Sequence, residues 1–240
     1  MGATSLAGRS ALVTGASRGI GAAVARRLAA DGVRVALMAR DKAALTSLAH
    51  ELGHGAVGLA CDVRDTDTLT RAIEQLPDLM GDMPDIVVNN AGAFFLAPAQ
   101  ETSVAAFGET LAVNLTAPFA VIRTLAPAMS RRGNGHIVTI GSVADRHILA
   151  GNAAYASSKH GLRALHEVLR AELRGTGVRV SLVSPGPVDT PLWDAVVTDS
   201  KPDSTSRSKM LSPAAVADAV HYVLTAPWEL NVDELRVSRT

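Results

Sequence analysis

Six short apolar runs, each followed by a longer segment of helical period, constrain this chain more than any other feature. The runs lie at 11–13, 33–38, 56–60, 86–88, 137–140 and 178–183, with a weaker seventh at 235–237. Several are apolar almost throughout instead of alternating, the pattern of strands covered on both faces. Between them, Ile20, Val24 and Leu28 share one helical face, as do Ala44, Leu45, Leu48 and Leu52, and then Leu69, Ile73 and Leu76. A long helical stretch runs over 104–129 with Pro118 and Pro127 as bend points. Leu162, Leu165, Leu169 and Leu173 predict a helix over 155–174, and a last helix spans 213–224 with Ser212 as N-cap and Pro213 at its first position. Such alternation predicts one α/β domain over 1–240: a doubly wound parallel sheet of about seven strands, with helices on both faces. No linker or repeat divides it. The polar stretch 199–209 (DSKPDSTSRSK) is expected to be a mobile loop. Ligands of such sheets bind outside the C-terminal ends of the strands, so the chemistry should lie there.

Composition narrows the partners. The 240 residues are 48% hydrophobic, enough for a large core, and 23 Lys and Arg balance 23 Asp and Glu. A neutral chain gives no electrostatic reason to expect nucleic acid or an anionic membrane. One cysteine, Cys61, cannot form an intrachain disulfide. The N-terminus has no basic start followed by an apolar run, and no stretch reads as apolar and charge-free enough to cross a bilayer. A cytoplasmic protein is expected.

The first strand runs into Thr14-Gly15-Ala16-Ser17-Arg18-Gly19-Ile20-Gly21 and a helix. Glycines there let the backbone turn tightly and let a pyrophosphate approach the amides, and the helix N-terminus favours anions. The G-x-x-x-G-x-G spacing differs from G-x-G-x-x-G, and three glycines at a helix start also serve plain packing. At the end of the second strand, where an NAD site places an acid, the chain reads Met38-Ala39-Arg40-Asp41. Arg40 together with Arg18 suits a 2′-phosphate, which points to NADP(H) over NAD(H). Asp41 is assigned to the N-terminus of the second helix. The alternative for both arginines is simple solvation.

Tyr155 and Lys159 stand four apart on a predicted helix and share a face. A phenol titrates near pH ~10, and a nearby ammonium should lower that value and make a proton donor and acceptor. Tyr-x-x-x-Lys alone recurs by chance on helix surfaces. Ser142, at the end of the fifth strand, could donate to a substrate carbonyl, or could cap the turn there.

Together these residues resemble the short-chain dehydrogenase/reductase family, over nearly the whole chain. Thr14 to Gly21 looks like the family's cofactor turn, Asp62 and Val63 like its adenine-holding pair, and Asn89-Asn90-Ala91-Gly92 like its NNAG segment. Asn114, Ser142, Tyr155 and Lys159 match its four catalytic positions in order and spacing. Pro185-Gly186-Pro187-Val188-Asp189-Thr190 is similar to the segment flanking the nicotinamide, with Val188 and Thr190 at the carboxamide. The resemblance implies a Rossmann-type sheet and hydride transfer between nicotinamide C4 and a carbonyl or secondary alcohol. It further implies that Tyr155 exchanges the proton and Lys159 binds the ribose and lowers the Tyr155 pKa. Ser142 then orients the carbonyl, and Asn114 bends its helix and holds a water leading to Lys159. Basic residues at Arg18 and Arg40 go with NADP(H) in the family. Taken alone, Asn114 reads as a helix amide bonded to backbone, and Asn89 and Asn90 as ties between strands.

His50-Glu51-Leu52-Gly53-His54 fits the H-E-x-x-H zinc motif, but Gly53 and Gly55 suggest that the helix ends and misplaces His54, so no metal is expected. A regulator that binds the cofactor without turnover would fit loss of Tyr155 or Lys159, and both are present. A 3-oxoacyl-carrier reductase is the other alternative. Arg131, Arg132 and Arg174 could dock the carrier, or could simply sit at helix C-termini. The tail Asn231-Val232-Asp233-Glu234-Leu235-Arg236-Val237 lacks the Asp-Gly-Gly ending common among carrier-linked members. Helices bearing Asn114 and Tyr155 are apolar on more than one face, which suits a homodimer or homotetramer. The expected substrate pocket comprises Phe94, Phe95, Val143, Ala144, Ile148, Pro187 and Trp193. A substrate loop at 191–211 would cover it with 192–209 as lid, which favours an apolar substrate of modest size.

Overall fold

The computed structural model describes residues 4–194 and 206–240. Seven strands form one sheet: β1 (Ser10–Thr14), β2 (Arg34–Ala39), β3 (Val57–Ala60), β4 (Ile86–Asn89), β5 (Gly135–Ile140), β6 (Val178–Pro185) and β7 (Glu234–Val237). Their order is β3-β2-β1-β4-β5-β6-β7, and every pairing is parallel. Parallel neighbours need crossovers, which the helices supply, and the sheet is therefore buried on both faces. One core packs Val13, Val35, Leu37, Val88 and Val183 under α1 (Gly19–Ala30), α2 (Lys42–Leu52) and α8 (Pro213–Thr225). The other packs Leu12, Met38, Val87 and Ile137 under α3 (Thr66–Glu74), the short α4 (Leu76–Met80), α6 (Ala117–Arg132) and α7 (Ala153–Glu172). Side chains of one strand alternate between the two cores, as Leu12 and Val13 do. The winding reverses between β1 and β4, and the crevice at their C-terminal ends is where such a sheet takes its ligand.

Three expectations need correction. The third periodic segment is broken, because Leu76 starts α4 beyond the end of α3. The stretch 104–129 is not one helix bent at proline. It comprises α5 (Val104–Leu111), a π turn (Ala112–Thr116) and α6. Pro118 offers no N–H to the carbonyl of Asn114 four residues earlier, so an α-turn cannot close there, and the Ala117 N–H reaches Ala112 five residues back. Pro127 lies within α6. The same stretch, Val104–Arg132, is also apolar and long enough by composition to cross a bilayer, contrary to expectation. Its apolarity has a local cause, since Ala117, Val121, Leu125 and Met129 are buried in the second core.

Candidate active site

Four helices are closed at their N-termini by side chains. Asp41, Asp65, Ser103 and Ser212 accept backbone N–H groups at the starts of α2, α3, α5 and α8. Helix α1 starts at Arg18 with no such cap. Its free amides face the cleft beside Gly15 and Ser17, an arrangement made for an anion. Close packing holds this turn in shape. A Cβ on Gly21 would overlap the Gly15 carbonyl oxygen and come within 2.6 Å of the Asn90 amide nitrogen. Gly15 and Gly19 both have positive φ. Asn90 donates to the Thr14 and Gly15 carbonyls at 2.9 and 3.2 Å, tying β4 to the turn. Asn89 does not act as a tie: both its side-chain polar atoms are buried without a partner among the described residues.

One cleft of about 840 Å³ runs along the C-terminal edge of the sheet. At one end stand Arg18, Arg40, Asp62, Val63 and Arg64. Arg64 was missed in the sequence, where only its place two residues after Asp62 could have drawn notice. Its guanidinium grips the Asp62 carboxylate at 2.6 to 3.1 Å and holds that carboxyl below its usual range. Arg18 and Arg40 are exposed. Gly15, Ser17, Gly19, Ile20, Asn90, Ala91, Gly92, Pro185, Gly186, Val188 and Thr190 also line the cleft. These residues fit a dinucleotide: uncapped amides for the pyrophosphate, glycines where a Cβ would intrude, and two cations at the outer end.

The other end holds the expected acid–base group. Ser142, Tyr155 and Lys159 all line the cleft, and α7 places the last two one turn apart. Lys159 is buried, donates to the Ile140 carbonyl at 2.9 Å, and lies 5.7 Å from the Tyr155 ring centre. Burial lowers its pKa to about 8. The expectation that Tyr155 would have a lowered pKa is overturned: the protein packed around the phenol raises it, and the Ser142 hydroxyl only partly offsets this. Desolvation of the charged form outweighs the hydrogen bond here. Ser142 also caps its turn by accepting the Ala144 N–H at 3.1 Å, so its two readings coexist. Asn114 does not line the cleft. From the π turn, its side chain binds the backbone of Ala93 in both directions and donates to Ser158 at 2.9 Å, joining the Gly92 loop to α7.

Around Tyr155 the walls are apolar. Phe94 meets the Tyr155 ring edge-on at 4.8 Å and Trp193 at the same distance. Phe95, Val143, Ala144 and Pro187 line the cleft as expected. Ile148 does not, being 77% exposed, and Leu149 takes the place assigned to it. The expected lid falls mostly at 195–205, outside the described residues. No cluster of three metal-ligating side chains occurs among the described residues. Helix α2 ends at Leu52 and His54 has positive φ, so the two histidines of H-E-x-x-H do not share a helical face.

Comparison with known proteins shows the family. A family model for short chain dehydrogenases matches residues 9–201. A D-threitol dehydrogenase of Mycolicibacterium smegmatis is 37% identical over 91% of this chain and 86% of its own. A ketoacyl reductase of a Nostoc species, HetN, is 34% identical over 90% of this chain and 75% of its own. A metagenomic short-chain oxidoreductase solved in complex with NADP superposes with a TM-score of 0.84 at 36% identity, covering 99% of both chains. With the matched region spanning the glycine turn, the π turn and the Tyr155 helix, this chain belongs to the short-chain dehydrogenase family of oxidoreductases.

Proposed function

We propose that the chain is a single catalytic domain over 1–240 that uses NADP(H) to interconvert an uncharged, largely apolar ketone and its secondary alcohol. The carrying observation is one continuous cleft with cations at its outer end and the Tyr155–Lys159 pair, walled by Phe94 and Trp193, at its inner end. The N-terminal amides of α1 would bind the pyrophosphate, and Arg18 and Arg40 the 2′-phosphate. Asp62 and Val63 would flank the adenine, Asn90, Ala91 and Gly92 the inner ribose side, and Pro185, Gly186, Val188 and Thr190 the carboxamide. When bound, the nicotinamide supplies or accepts the hydride at C4. Tyr155 and Ser142 hydroxyls polarise the substrate carbonyl from one side, and Tyr155 gives its proton to the oxygen as the carbon is reduced. In oxidation the phenolate takes that proton back. Lys159, held by the Ile140 carbonyl, stabilises the phenolate, and Asn114 holds the loop and α7 in register.

Among the described residues, every charged side chain lining the cleft except Lys159 stands toward the outer end: Arg18, Arg40, Asp41, Asp62, Arg64 and Glu109, the last 3.9 Å from Arg64. Apolar walls near Tyr155 favour a neutral substrate. A carrier-linked oxoacyl group has less support, because the Arg132 guanidinium is already bound to the Met83 and Pro84 carbonyls. Exposed Phe119 on α6 and Val168 on α7 support a homo-oligomer through those helices, and a single buried cysteine supports a cytoplasmic setting. The test is a panel of ketones and secondary alcohols with NADPH and NADH in parallel. Tyr155→Phe should lower turnover by about 10²–10⁴-fold while NADPH titration is unchanged. Substantial turnover in that variant would end the acid–base assignment.

A further inference from the structure

Three residues past Ser142, the chain buries a second charge that the reaction as described does not use. Asp145 is 1% exposed. Its Oδ2 accepts the Ser184 hydroxyl at 2.7 Å, and its Oδ1 has no hydrogen-bond partner. The nearest cation to Oδ1 is Arg146, 4.0 Å away, and that guanidinium is clamped on both nitrogens by Glu234. The Arg146 guanidinium is therefore engaged chiefly by Glu234. On the other side of the same loop, Lys159 is also buried, at 6% exposure, and no carboxylate lies within ion-pair distance of it among the described residues. Gly141 lies between the two. A Cβ there would press on Ser184 and come 3.2 Å from Asp145 Oδ2, so the glycine is what lets the carboxylate sit behind the loop.

We propose that Asp145 is a positioning residue for the Tyr155–Lys159 pair: its buried charge is the counter-ion of the ammonium and fixes how many protons the pair carries at neutral pH. This rests on the reading of Tyr155 as acid–base. The electrostatics run in that sense, since Asp145 opposes the loss of a proton from both Tyr155 and Lys159. Packed against α7, β6 contributes the neutral Ser184, the π turn contributes Asn114, and Glu109 of α5 faces Arg64. Whichever group of the pair releases the first proton, removing the negative charge makes that release easier. A unit charge ~10 Å away, at an effective dielectric of ~20, moves such a midpoint by about one pH unit.

Asp145→Asn keeps the side-chain volume and an oxygen for Ser184 but removes the charge, which separates electrostatics from loop structure. The expected result is that the midpoint of kcat/KM against pH for alcohol oxidation moves about one pH unit toward acid, with KM for NADP+ unchanged. Asp145→Glu should restore the wild-type midpoint. A uniform fall in rate at all pH values, with the midpoint unmoved, would mean that Asp145 only shapes the loop. A second readout needs no substrate. The chain has two tyrosines, and Tyr222 is 61% exposed, so in Tyr222→Phe the tyrosinate absorbance reports Tyr155 alone. Adding Asp145→Asn, or Asp145→Ser should the Asn variant not fold, should move that titration to lower pH, and an unmoved titration overturns the proposal. Turnover in Tyr155→Phe would instead sink the acid–base reading while leaving this titration interpretable.

Discussion

The two ends of the cleft solve opposite problems. At the outer end, Arg18, Arg40 and Arg64 are exposed, and the first amides of α1 are left without a side-chain cap. Charges there stay hydrated, and they act by number and placement. At the catalytic end, Lys159 and Asp145 are buried and Tyr155 is walled by aromatic rings, so each group's ionisation depends on its neighbours. A cofactor that must come and go suits the first environment. A proton that must be held until the carbon reacts suits the second.

Lys159→Met is the severest way to break the contrast. It should lower kcat by about 10²–10⁴-fold, with no recovery in added salt, as steady-state assays from low to high ionic strength would register. A loss that salt abolishes would place Lys159 with the exposed charges. Gly21→Ala attacks the shared floor instead. Its methyl group would overlap the Gly15 carbonyl oxygen, so NADPH binding should fall by at least about tenfold and Tm should drop, by an overpacking cost of ~1–3 kcal/mol. Calorimetry on the free and NADPH-bound protein tests both, and unchanged binding would mean that the turn is looser than it looks. Arg40→Ala should weaken NADPH about tenfold and NADH far less, a difference that shrinks as salt rises. Equal weakening of the two cofactors would remove the 2′-phosphate from Arg40.

The smallest effect lies on the back of α7. Burial holds the His166 pKa down to about 4, against 6.5 when exposed. Between those values the unfolded chain binds a proton that the folded one refuses, so stability present above pH 6.5 is lost as pH falls toward 4. His136, buried and also depressed, adds to the same slope. Tm measured across this range should fall less steeply in His166→Gln than in the parent chain.

Much of this was legible before any coordinates. Strands buried on both faces are apolar on both, so the runs at 33–38 and 178–183 mark β2 and β6 to within two residues at each end. Asp41 and Ser212 cap the helices that they precede, because a short polar side chain before a periodic stretch has few other uses. The raised Tyr155 pKa was not legible: the sequence shows that an ammonium is near but not how much water the fold removes. Asp145 was invisible for a related reason. Its burial depends on Ser184, thirty-nine residues later, and on the space left by Gly141. Nor did the apolar residues of 104–129 reveal the π turn, since a helix apolar on several faces gives no stripe whose drift could be followed. Pro118 was read as a bend when it marks where α-helical bonding fails.

That π turn also sets a rule for length variation. Successive helical residues are rotated by about 100°, so one additional residue between α5 and α6 turns everything downstream by that angle. Removing a residue from 112–116 would take away the extra residue that carries the chain past Pro118, where an α-helical bond cannot close. It would also swing either Asn114 away from Ala93 or the Ala117, Val121 and Leu125 stripe off the sheet. Exposed loops that line no part of the cleft can gain or lose residues at modest cost. Here the phase of a single helix is shared between the Asn114 bonds to Ala93 and Ser158 and the packed core, and one deleted codon disconnects them.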